Sequence, residues 1–186
     1  MRPLRTATES SLRRRRERGS AGPLLGFLAL ALALSGCGSN DTRGADVEMA
    51  PDFKLPRLSG GTVELADLRG KIVIIDFWAT WCPPCEFQIP ELNAFYDAHR
   101  RDGDVEVLGI SVDTEGPEAV KIWVREKQMR YPVLLADEDL ARRFGALGFP
   151  TLYVVAPDGS IDSQHVGLIE RDELELALRR QRSDGS

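Results

Sequence analysis

From Pro51 onward the apolar positions fall into short blocks divided by glycine, proline and aspartate. Phe53–Leu58 and Thr62–Leu65 alternate apolar and polar residues about Gly60-Gly61, the pattern of a β-hairpin. Lys71–Trp78, KIVIIDFW, is almost continuously apolar and rich in Ile and Val, which suits a central strand buried on both faces. Residues 83–101 read as a helix with Pro83 or Pro84 in its first turn, where a missing N–H costs nothing, and with a kink at Pro90. Val105–Val112 is the next strand, and 117–128 place Val120, Trp123 and Val124 at helical spacing. Tyr131–Leu135 reads as a short strand. Asp137–Phe144 reads as a short helix whose acidic start and basic end match the helix dipole. Thr151–Ala156 and Ser160–Val166 are strands about the turn Pro157-Asp158-Gly159, and 170–182 are the last helix. The order βββαβαβαββα predicts an α/β fold: a mixed central sheet with helices on both faces and an N-terminal β-hairpin.

The first 36 residues follow a different pattern. A basic block at 13–18 precedes an eleven-residue apolar run, Leu24–Leu34. A bilayer core needs ~20 helical residues, so this run is too short to span one and reads as a secretory signal. It ends in Leu34-Ser35-Gly36-Cys37, which resembles the lipobox of bacterial lipoproteins. That resemblance implies lipid on Cys37 and removal of 1–36. Residues 38–50 are small and polar, with a tether's reach of about 20 Å. The expected organisation is a signal at 1–36, a lipidated tether at 37–50, one domain at 51–182 and a polar tail at 183–186.

Composition sharpens this picture. The 186 residues are 42% apolar and 28% charged, enough for a packed core. The net charge is −5, but 1–36 hold seven arginines and two glutamates. The remainder therefore carries 17 basic and 27 acidic side chains, which argues against nucleic acid as a partner. Three cysteines exclude a disulfide scaffold and a four-cysteine zinc site within one chain.

Two of them stand in Trp78-Ala79-Thr80-Trp81-Cys82-Pro83-Pro84-Cys85, after the apolar strand and at a helix start. The positive end of a helix dipole favours a thiolate at Cys82. Cys82 is then the nucleophile and Cys85 the resolving thiol, through a mixed disulfide. As half of a zinc site the pair needs two more ligands, and neither His99 nor His165 has finger spacing. As a purely structural bridge, so small a ring stabilises little.

These residues resemble the thioredoxin superfamily, and within it the membrane-anchored thiol-disulfide oxidoreductases of the TlpA/ResA kind, over about residues 50–180. Further matches are Ala50-Pro51-Asp52-Phe53, Leu68-Arg69-Gly70-Lys71, Pro90, a strand–helix insertion near 105–128, and Gly148-Phe149-Pro150-Thr151. The resemblance implies a thioredoxin-like fold and a cis Pro150 beside the cysteines, with the Phe149 backbone offered to an extended substrate. Trp81, Phe149 and Pro150 are the candidate substrate-binding residues, and Cys82, Cys85 and Asp76 the candidate catalytic ones. Asp76 lies on the buried strand, where desolvation would raise its pKa, and the resemblance gives it a proton-transfer role for Cys85. The relatives usually carry glutamate where this chain has Gln88, so no acid role transfers there. Trp78 shields and packs the site, and Trp123 reads as core. His99 and His165 read as structural or surface residues, and Asp137-Glu138-Asp139 as a helix start.

The expected activity is reduction of partner disulfides, with no metal and no cofactor beyond the Cys82–Cys85 pair. Expected partners are disulfide-bearing envelope proteins, apocytochrome c among them, a membrane thiol donor, and the membrane through the lipid anchor. The expected location is extracytoplasmic, on the periplasmic side in a Gram-negative cell. An envelope oxidase or repair reductase, a metallochaperone and a non-catalytic binding lipoprotein are the alternatives. A thiol peroxidase lacks support, since no Pro-x-x-x-Thr-x-x-Cys loop is present.

Overall fold

The computed structural model describes residues 47–184. In chain order these form β1 (Lys54–Pro56), β2 (Thr62–Glu64), a 3-10 turn (Leu65–Leu68), β3 (Ile72–Trp78), α1 (Cys85–His99) and β4 (Val105–Ser111). There follow α2 (Pro117–Glu126), β5 (Val133–Leu135), α3 (Glu138–Arg143), β6 (Thr151–Val155), β7 (Ile161–Val166) and α4 (Arg171–Asp184). The expected signal, Cys37 and most of the expected tether lie outside the described residues.

β3 is buried at all seven positions because its edges and faces are all covered. β4 pairs with it in parallel and β6 antiparallel, in a five-stranded sheet ordered β5-β4-β3-β6-β7. Val73, Ile75 and Phe77 pack with Val120 of α2, Leu140 of α3 and Val63 of β2. Ile72 and Ile74 pack on the other face with Leu92 and Phe95 of α1 and Leu174 and Leu178 of α4. The alternation follows the pleat, and helices cover both faces. The β1–β2 hairpin forms a separate two-stranded sheet. It reaches the β5 edge through an Arg57–Leu134 bridge and a 2.9 Å bond from the Leu58 N–H to the Val133 carbonyl. An otherwise open strand edge is thereby covered.

Several boundaries differ from the expected ones, each for a local reason. Leu65 leaves the hairpin for the 3-10 turn and is buried there. Tyr131 and Pro132 precede β5 instead of opening it. Proline has no N–H for a ladder, but its carbonyl accepts from the Gly109 N–H at 2.9 Å. The first helix begins at Cys85, not 83, and ends at His99. Ahead of it the amides of Cys85, Glu86 and Phe87 bond back to the carbonyls of Cys82, Pro83 and Pro84 in tight turns. The body also begins before 51. Ala50 is buried and donates to the Gly159 carbonyl, and the Glu48 carbonyl accepts from Ile161. At the far end α4 continues to Asp184, past the expected limit of 182.

Two buried side-chain amides of α1 hold the loops on either side of it. Gln88 donates to the Ile169 carbonyl (3.0 Å) and accepts from the Ile169 N–H (2.9 Å), fixing the approach to α4. Asn93 donates to the Gln128 carbonyl (2.9 Å) and accepts from the Arg130 N–H (2.8 Å), fixing the turn before β5. Gln128 holds a left-handed backbone, φ 58°, within that turn. An amide satisfies a backbone N–H and C=O together, and a carboxylate cannot.

This gives a pH-dependent prediction for Gln88→Glu. Only the protonated acid can donate to the Ile169 carbonyl, so its folded pKa should lie above the unfolded value of about 4.3. A raised folded pKa leaves stability intact below the unfolded value and removes it as pH rises above that value. Urea unfolding should find the variant close to the parent chain at pH 4. At pH 7 it should be weaker by about 1–3 kcal/mol. Equal losses at both values would contradict the clamp.

Candidate active site

β3 ends at Trp78, and the buried Ala79 leads into the loop that carries Cys82. Cys82 and Cys85 form a disulfide, S–S 2.04 Å with Cα atoms 5.4 Å apart. Both are buried, at 4% and 2% exposure. Access is what separates them. Cys82 lines a groove of about 540 Å³ with Trp81, Pro83, Leu147 and Phe149, and Cys85 does not. Its rim is open to solvent and mostly apolar, with Trp81 55% and Leu147 92% exposed, and Glu138 and Arg142 of α3 add charge on one side. A larger groove of about 990 Å³ between α1 and α2 contains neither cysteine. Volume is therefore a poor guide here, and the smaller groove holds the sulfur chemistry.

The Cys82 loop is braced from β4. Both carboxylate oxygens of Asp113 accept from the Thr80 N–H, at 3.0 and 3.1 Å, and Asp113 also takes the Thr80 hydroxyl. Ser111 donates to the same carboxylate at 2.7 Å. Sequence reasoning missed Asp113. Its one available signal is position: Trp78 pairs with Ser111, so β3 and β4 end side by side and their following loops meet.

The antiparallel pairing of β3 and β6 delivers the other half of the groove. Phe77 pairs with Thr151, and the Phe149–Pro150 peptide just before Thr151 is cis. The Phe149 ring meets Trp81 edge-on, with centroids 5.8 Å apart. Thr151 donates its hydroxyl to the Gly148 carbonyl at 2.6 Å, and the Pro150 carbonyl accepts from Gly167. Cys82, Trp81 and Phe149 thus share one groove, although 68 positions of sequence separate Cys82 from Pro150.

Asp76 is 2% exposed. Desolvation raises its pKa from the usual 3.8 to about 8, and the nearby Tyr131 phenol offsets part of that rise. Yet the two make no hydrogen bond of normal geometry. Asp76 Oδ1, Tyr131 Oη and Trp78 Nε1 are all buried without a partner. Trp78 is buried and stacks on Trp123, with centroids 4.5 Å apart and rings 20° from parallel. Tyr131 was read as the start of a strand and its phenol was missed, because a tyrosine before a proline carries no spacing signal toward Asp76.

The remaining candidates are structural. His99 bonds Asp102 at 2.8 Å and Glu175 at 3.0 Å, and His165 meets the Leu168 carbonyl at 2.7 Å. Asp137 caps α3 by accepting from Leu140. Among the described residues no group of three or more His, Cys, Asp or Glu is arranged to hold a metal.

Residues 47–164 match the AhpC/TSA family. Over 132 residues the chain is 32% identical to "Thiol-disulfide oxidoreductase ResA" of Bacillus thuringiensis subsp. konkukian, covering 70% of this chain and 75% of that one. Among solved structures it resembles a thiol:disulfide interchange protein of the thioredoxin family from Chlorobium tepidum. That match has a TM-score of 0.65 and 29% identity, covering 74% of this chain and 98% of that one. It also shares the fold of StoA from Bacillus subtilis, with a TM-score of 0.60 at 22% identity over 68% of this chain and 96% of that one. The architecture is thioredoxin-like.

The buried carboxyl predicts a stability trend. Its folded pKa lies above the unfolded one, so it costs nothing below about pH 4, where both states are protonated. The cost grows as pH rises from the unfolded value of 3.8 toward about 8. Asp76→Asn should therefore unfold like the parent at pH 4 and resist urea better at pH 8, by an amount on the order of several kcal/mol. A variant weaker at pH 8 would overturn the assignment.

Proposed function

The chain belongs to the AhpC/TSA family and is a thiol-disulfide oxidoreductase of the ResA type; on that premise we propose that it works outside the cytoplasm, anchored by lipid on Cys37, and reduces disulfides of partner proteins. The observation that carries this reading is the placement of the Cys82–Cys85 pair. Of the pair, Cys82 lines the groove that Trp81 and Phe149, next to the cis Pro150, also wall. A partner cysteine entering it meets one sulfur between Trp81 and Phe149.

In the reduced enzyme the Cys82 thiolate attacks a partner disulfide. A mixed disulfide forms and the first partner sulfur leaves as a thiolate. Cys85 then attacks Cys82 Sγ. The enzyme disulfide closes, the bond from Cys82 to the partner breaks, and the second partner sulfur carries off the electron pair. The Cys85 proton passes to Asp76 and on to the departing thiolate. Two electrons have moved to the partner, and the Cys82–Cys85 disulfide is the spent form. In an oxidising compartment it is recharged by a thiol donor in the membrane.

The exposed Trp81 and Leu147 at the groove suit an unfolded or extended partner segment in place of a finished globular surface. Apocytochrome c fits, since its haem-attachment C-x-x-C-H cysteines must be kept as thiols. Support for the anchor comes from the sequence alone, in the order of basic block, apolar run, small residues and Cys37. Multiple acyl chains hold a protein far more firmly than one.

Trapping tests the catalytic reading. A Cys85→Ser variant should accumulate its partner as a mixed disulfide on Cys82, identified by mass spectrometry, and Cys82→Ala should abolish insulin reduction. Undiminished turnover by Cys82→Ala would refute it. For the anchor, Cys37→Ser should move the protein from the membrane fraction to the soluble extracytoplasmic fraction. Unchanged membrane association would rule out lipid on Cys37 as the attachment.

A further inference from the structure

The geometry points to Tyr131 as a positioning residue for the proton step, its phenol held beside Asp76 so that the carboxyl can take the Cys85 proton and give it back. This rests on the reading of Asp76 as proton acceptor. Tyr131 itself touches neither sulfur in that scheme and acts only through Asp76.

Three buried polar groups without partners gather at one place. Asp76 and Gly109 are register partners on neighbouring parallel strands, so their side-chain positions share a face. A β-carbon on Gly109 would lie 2.8 Å from Tyr131 Cε2 and 3.0 Å from Trp78 Nε1. The glycine thus leaves room for a phenol and an indole to close over the strand next to Asp76. The approach of Tyr131 is fixed from both sides. The Gly109 N–H bonds the Pro132 carbonyl, and Asn93 of α1 grips the carbonyl of Gln128 and the amide of Arg130. A ring that only filled space would need no hydroxyl, and a buried hydroxyl without a partner is a cost. Its use is electrostatic: an O–H turned toward Asp76 favours the ionised carboxyl.

Among the described residues no other ionisable group competes for that role. On its own strand Asp76 is flanked by Phe77 and Ile75, and its partner on β6 is Leu152. The buried face of α1 holds Cys85, Gln88, Ile89, Leu92, Asn93 and Phe95, none charged. From α4 come Leu174, Ala177 and Leu178. Apart from Cys85, whose proton is the one being moved, Tyr131 is the titratable side chain that acts on Asp76. In the step itself Cys85 loses its S–H proton to the Asp76 carboxylate as the Cys82–Cys85 bond forms. The bond from Cys82 to the partner breaks, and the leaving thiolate recovers the proton from Asp76.

The test compares the full-length parent chain, Tyr131→Phe and Asp76→Asn. The Asp76 carboxyl is titrated by carbon-13 NMR in the oxidised protein, and resolution of a mixed disulfide is timed across pH. Tyr131→Phe should move the carboxyl midpoint upward and slow resolution at pH 7 by about threefold to tenfold, the two proteins converging above both midpoints. At pH 4, where Asp76 is protonated in the folded state of both proteins, its unfolding should stay close to that of the parent, because the ring remains. An unmoved midpoint and an unchanged profile in Tyr131→Phe, with Asp76→Asn altering the profile, would overturn the role of Tyr131 alone. An unchanged profile in Asp76→Asn would instead sink the proton-acceptor reading beneath it. Should Tyr131→Phe fail to fold, 3-fluorotyrosine placed at 131 supplies a stronger donor. The midpoint should then fall, and a midpoint that stays put overturns the inference.

Discussion

Asp76 has a strand on each side and helices over its face, so there is no water for its charge to face. The fold could have placed an apolar residue in register with Gly109 and gained stability. It keeps a carboxyl whose pKa burial raises to about 8. Much of the surrounding architecture follows from keeping that one group dry. β3 is flanked on both edges, α1 and α4 close one face, and uncharged amides of α1 pin the approach to α4 and the turn before β5.

The choice of amides for that pinning is consistent with the same constraint. Gln88 and Asn93 bind backbone donors and acceptors at once and do not respond to pH. A carboxylate at 88 would add a second titrating group on the buried face of α1. With Gln88 and Asn93, these two clamps stay uncharged at every pH.

The strands, the helix order and the cysteine pair were legible because they leave periodic or adjacent marks. KIVIIDFW can hardly be anything but a central strand, and two cysteines three apart at a helix start announce themselves. Residues that act across strands leave no such mark. Asp113 braces Thr80 from 33 positions away, and Tyr131 lies against β4 only because Gly109 lacks a side chain. Each depends on the register of β3 against β4, which no local pattern encodes. Boundaries were blurred where backbone hydrogen bonding overrode pattern, as at Pro132, whose ring removes a donor, and at Pro83-Pro84, where tight turns delay the helix by two residues.

The antiparallel pairing of Phe77 with Thr151 has a consequence of its own. The cysteine loop leaves the sheet at one end of β3, and the cis-proline loop enters β6 at the same end. Everything from α1 to α3 departs from that edge and comes back to it. The contact between the two loops is therefore a property of one rung of hydrogen bonds, independent of the length of chain between them. Segments that touch neither loop can be lengthened, shortened or exchanged without moving the sulfur relative to the proline. A scaffold of this kind can change the surface it offers to partners by evolution or by engineering, while the reactive geometry is inherited intact.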